Sequence, residues 1–116
     1  MNIEACYNKM GADYAEVKSR LPSDAFIKRF ALKFLDDPTF ALLEKSLAEE
    51  NVDEAFRAAH TLKGITQNLG FSQLSPLAIE ITEILRKGTM DGTDTLFPQL
   101  KEKYDMTVAC IKEVDE

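Results

Sequence analysis

From Pro22 onward, apolar side chains return every three or four residues, and nowhere in the chain do they alternate one by one. Period 3.6 marks helices with one buried face, whereas period two would mark strands. Five such segments follow one another. Phe26, Ile27, Phe30, Phe34 and Leu35 form the first, introduced by Pro22 and a Ser23 or Asp24 cap and stopped by Asp36, Asp37 and Pro38. Leu42, Leu43 and Leu47 share a face of the second, which ends at Asn51. Val52, Ala55, Phe56, Ala59, Leu62, Thr66 and Leu69 line the third, which Gly70 closes as a C-terminal glycine. Leu74, Leu77, Ile81, Ile84 and Leu85 line the fourth, with Pro76 in its first turn and Gly88 at its end. After the turn "TMDGTD", Leu96, Phe97, Leu100, Tyr104, Val108 and Ile111 mark the last. Consecutive amphipathic helices on short connections pack antiparallel. The expected fold is all-α: an up-and-down four-helix bundle of helices 39–50, 52–69, 72–87 and 93–114, with additional short N-terminal helices. Residues 1–37 would cap one end, broken near Gly11, and Phe26, Phe30 and Phe34 would belong to the core.

A chain of 116 residues with 45% apolar content fits one domain, here 1–116, with a core of its own. The net charge of −6 argues against nucleic acid or anionic lipid as partner, since both require a basic surface. Cys6 and Cys110 have no metal-ligand spacing and read as reduced thiols. The first ten residues carry an acid, Glu4, and no apolar run, and no later run is long enough to span a membrane, so a cytoplasmic protein is expected. One bundle accounts for the apolar residues, which makes a monomer the expected state.

His60 is the only histidine, and Gly64 follows it one turn later inside a strong helix. At about 100° per residue, His60 falls roughly 130° from the centre of the apolar stripe and faces solvent or its edge. Arg57, Gly64 and Gln67 share that side, with Lys63 between it and the core. A mid-helix glycine costs about 0.5–1 kcal/mol relative to alanine. Two uses would justify it: room for a neighbouring helix, or a bare floor on which another molecule docks. His60 itself is either an ordinary surface histidine or a site, and nearby cations suit an anion placed on it.

"AHTLKG", Ala59 to Gly64, followed by "NLG", Asn68 to Gly70, resembles the signature of histidine-containing phosphotransfer (HPt) domains. The flanking "FLDDPTFALLEKSLAEENVDEAFRAAH" and "LSPLAIEITEILRKG" are similar to the family as well. The resemblance implies a four-helix bundle whose second helix exposes a phosphoaccepting histidine, here His60. Lys63 would help neutralise the phosphoryl group, and Gly64 would leave room for a receiver domain. Many members carry Gln or Glu on the following helix as partner of the imidazole; the matching position here is Thr82, a shorter side chain and the candidate orienter. The resemblance implies response-regulator receiver domains and a hybrid sensor histidine kinase as partners, with Mg²⁺ held by the receiver and no cofactor in this chain. Neutral imidazole is a good nucleophile near pH 7, and Nε2 would attack an aspartyl phosphate in line. Arg57 and Gln67 are docking candidates from geometry alone, and Asn68 reads as local capping.

Three further readings compete. A bundle that binds receivers or other signalling partners without chemistry would need the same surface but not the histidine. An ATP-dependent kinase would need a nucleotide-binding domain for which the chain has neither room nor a Gly-rich motif. A metal hydrolase is disfavoured, because one histidine and scattered acids offer no ligand spacing.

Overall fold

A computed structural model describes residues 1–115. It holds seven helices among the described residues: α1 (Ile3–Lys9), α2 (Tyr14–Arg20), α3 (Asp24–Phe34), α4 (Thr39–Ala48), α5 (Val52–Asn68), α6 (Ser75–Arg86) and α7 (Thr93–Lys112). Side-chain caps set most of their starts. The side chains of Asn2, Asp13, Ser23 and Asn51 accept hydrogen bonds from the backbone N–H groups of Ala5, Glu16, Phe26 and Glu54. Each satisfies a donor that the first helical turn leaves without a partner. The Asp37 carboxylate does the same for Thr39 N–H at 2.8 Å, ahead of α4.

The third bundle helix, α6, starts at Ser75 rather than at residue 72. After α5 the chain turns on Gly70, whose φ of +70° favours glycine. Phe71 N–H then reaches back to the Thr66 carbonyl at 2.9 Å, which buries the Phe71 ring and spends residues 71–74 on a turn.

α5 lies between α4 and α6, its two main neighbours, and α7 packs on α6. The seam between α4 and α7 is closed by aromatic rings. Phe40 stacks on Tyr104 with centroids 3.9 Å apart and planes at 7°, and on Phe97 at 5.4 Å. α1 sits against α3 and α7, and α3 also touches α7. Phe71 meets Phe34 at 5.1 Å and Tyr7 at 5.8 Å, so the N-terminal helices cover the end of the bundle where α5 turns into α6.

The rotation of α3 differs from expectation. Ile27, Ala31 and Phe34 point inward, while Phe26 and Phe30 are only half-buried and pair with each other at 4.5 Å. Leu42, expected on the inner face of α4, is 52% exposed; Phe40 and Leu43 take that role. Phe56, expected in the core face of α5, is also half-buried.

Candidate functional site

The inner stripe of α5 is Ala55, Ala58, Ala59, Leu62 and Thr66. Two successive alanines let α4 and α6 approach closely on either side. His60 stands on the opposite, exposed side, as the wheel expects. Neither of its ring nitrogens is hydrogen-bonded to a described residue. Its ring instead lies 5.8 Å from that of Phe56, one turn earlier, with planes at 44°.

Gly64 is exposed, and a Cβ built on it meets nothing within 4 Å. Its φ is ordinary helical, so neither backbone conformation nor neighbouring helices demand glycine there. The packing-room alternative is thereby removed, and the bare patch opens outward. Lys63 is half-buried and joins no ion pair among the described residues. Arg57 is exposed and already paired with Glu54 at 3.0 Å, so it is a committed cation beside the site. Gln67 is exposed but lies two turns beyond His60, where the chain meets α2. It lines a shallow depression with Gly11, Glu16 and Arg20, and its carbonyl accepts from the Arg20 guanidinium. Asn68 ends α5, its carbonyl also within reach of Arg20 at 3.3 Å. A cation across these last carbonyls offsets the negative end of the helix dipole.

Thr82 does not serve as the orienter of His60. Its exposure is 0%, and its hydroxyl donates to the Ala78 carbonyl of its own helix at 2.6 Å. A threonine turned into the bundle satisfies its hydroxyl by bonding back one turn. Sequence reading also missed an aromatic neighbour of the histidine and the cation behind that ring. Phe56 was readable as the residue one turn before His60. Arg86 was not, because it comes from α6: its guanidinium carbon stands 5.1 Å from the Phe56 ring centroid. On the other side of Gly64, half-buried Phe26 and Phe30 form an apolar groove of about 220 Å³ with Leu21, Ile65, Asn68 and Leu69.

Among the described residues, no group of three His, Cys, Asp or Glu side chains is placed to hold a metal ion. No described helix is long and apolar enough to cross a membrane.

The Hpt domain family model matches residues 37–109, from just before α4 to near the end of α7. The chain belongs to this family. It is also similar to the chemotaxis protein CheA of Halobacterium salinarum, with 38% identity over 69 residues, 57% of this chain and 10% of that protein. The chain thus spans about a tenth of the length of this curated relative. No solved structure matches it. Both findings support histidine phosphotransfer in two-component signalling as the setting of this chain.

Proposed function

We propose that this chain is a phosphorelay intermediate in which His60 accepts a phosphoryl group from the aspartyl phosphate of one receiver domain and passes it to another. A lone pair of the imidazole Nε2 forms a bond to phosphorus. The bond from phosphorus to the aspartyl oxygen breaks, and that oxygen leaves as part of a carboxylate. Return transfer to a second aspartate runs the same step backwards. Such transfer depends on positioning and charge neutralisation more than on acid–base groups. Lys63 supplies a cation from this chain, and the receiver supplies Mg²⁺ and its own residues.

The observation that carries this reading is the exposed imidazole one turn before a glycine whose missing side chain would meet no described residue. A helix gives up about 0.5–1 kcal/mol there, and close approach by a partner is the remaining return. The apolar groove beyond Gly64 extends the docking surface and suits a partner with apolar side chains beside its phosphoaspartate. A hybrid sensor kinase is the expected upstream source. The protein acts as a monomer in the cytoplasm and has no ATP-dependent kinase activity of its own.

The test is transfer from a purified receiver domain phosphorylated with a small-molecule phosphodonor. The product is expected to be acid-labile and alkali-stable, as a phosphohistidine is, and absent in His60→Gln. Stable phosphorylation of His60→Gln would sink the site assignment. Receiver binding without transfer would instead favour a non-catalytic adaptor.

A further inference from the structure

Attack on phosphorus requires one imidazole nitrogen to point along a fixed line. A solvent-facing histidine on a helix is free to sample several ring settings unless something restrains it. The side chain expected to do so by hydrogen bonding, Thr82, is sealed in the bundle with its hydroxyl committed to Ala78. Neither ring nitrogen of His60 has a described partner.

What the imidazole does touch is an aromatic ring. Long helical side chains lean back toward the N-terminus, which lays the His60 ring over residue 56. There Phe56 meets it at 5.8 Å and 44°, a tilted arrangement of the kind aromatic pairs favour. Phe56 is itself only half-buried and needs an anchor. Arg86 supplies one from α6, with its guanidinium carbon 5.1 Å from the Phe56 centroid. Arg86 is in turn paired with Glu83, whose carboxylate accepts from its Nε at 3.2 Å. The result is a continuous column, Glu83–Arg86–Phe56–His60, crossing from α6 to α5.

We propose that Phe56 and Arg86 are the positioning residues of the His60 imidazole, holding it by tilted ring contact where a hydrogen bond from the following helix is missing. This inference rests on His60 being the phosphoacceptor. Phe56 limits the tilt of the ring, and Arg86 keeps Phe56 from swinging out to solvent. Neither touches the transferred group.

Because His60 is the only histidine, its imidazole gives a single set of NMR signals. The experiment measures the carbon-13 relaxation order of the His60 Cε1–H bond, receiver-to-His60 transfer rate and urea midpoint together. The variants are Phe56→Leu, Phe56→Tyr, Arg86→Met and Arg86→Lys. The ring is expected to be ordered in the parent protein and mobile in Phe56→Leu. Transfer should fall about tenfold with little change in the receiver concentration needed for half-maximal rate. Phe56→Tyr should restore both readouts. Arg86→Met, at an exposed position that does not threaten folding, should loosen the ring, and Arg86→Lys should restore much of its order. Unchanged ring order and transfer in Phe56→Leu and Arg86→Met would overturn the proposal, as would a loss of stability alone. If the parent protein takes no phosphoryl group while His60 order follows the column, the phosphoacceptor reading fails and the column stands.

Discussion

The hydroxyl of Tyr7 donates a 2.6 Å hydrogen bond to the carbonyl of Leu69, joining α1 to the turn that ends the His60 helix. Both residues are buried, and Tyr7 lies outside the part of the chain that the family model covers. The N-terminal helices are therefore built into the bundle end, not appended to it. Tyr7→Phe keeps the ring contacts but leaves the Leu69 carbonyl without its donor. The expected cost is about 1–3 kcal/mol, read from urea unfolding, with transfer unchanged at temperatures where the variant is folded.

Gly64 and Gly70 should respond to alanine in opposite directions. At Gly64 a Cβ meets nothing, so Gly64→Ala should stabilise the helix by about 0.5–1 kcal/mol. At Gly70 the φ is +70° and a Cβ would clash with the Val17 Cγ2. Left-handed strain alone is about 1–2 kcal/mol, and the clash adds to it. Denaturation midpoints that moved the same way would contradict this contrast. Gly64→Leu should likewise fold normally yet lose receiver-dependent transfer, and an unchanged transfer rate would remove its docking role.

Thr82→Val is expected to leave transfer within about twofold of the parent rate, because the hydroxyl is spent on Ala78 and that carbonyl keeps its helical bond. Single-turnover transfer measures it. A tenfold loss would return Thr82 to the role of orienter.

Alkaline pH should destabilise the fold ahead of ordinary lysine titration. Burial raises the Cys6 thiol from 9.0 to about 11, and nearby Cys110 and then Glu113 push the same way. An unfolded thiol ionises near 9, so this contribution is intact below pH 9 and is lost as the pH climbs toward 11. Burial also raises the Tyr7 hydroxyl above its ordinary 10, so its contribution starts to disappear from pH 10 upward. Urea midpoints at pH 8, 9.5 and 11 should fall progressively, less steeply in Cys6→Ala over the first interval. At pH 8 both thiols should resist a soluble disulfide reagent until the protein unfolds, since Cys6 is 0% and Cys110 4% exposed.

The helices were legible in the sequence because caps and period are local properties. Asn51, Gly70 and the spacing of Ala55, Ala59 and Leu62 are enough to place α5 and to put His60 and Gly64 on its outer side. The rotation of α3 was not legible. Apolar residues occupy more than half of its circumference, and contact with α1 and α7 decides that Ile27 and Ala31 go inward in place of Phe26 and Phe30. Arg86 escaped for a related reason. Which residue of α6 stands beside Phe56 depends on the length of the turn after Gly70, and residues 72–74 read as helix in the sequence. A single helix can be drawn on a wheel, whereas the register between two helices is set by their connection and shared core.

α5 runs without interruption from Val52 to Asn68, 17 residues, and Phe56, His60, Lys63 and Gly64 all ride on it. At 1.5 Å per residue the imidazole and the glycine floor are about 6 Å apart along one rod, with no joint between them. A protein built this way is a courier rather than a lever. Under the proposed function, its message is the group it carries, and when that message moves is decided by the frequency and lifetime of encounters. Changing its correspondents would then mean altering the exposed side of one helix and the groove beside it, while the bundle behind remains as it is.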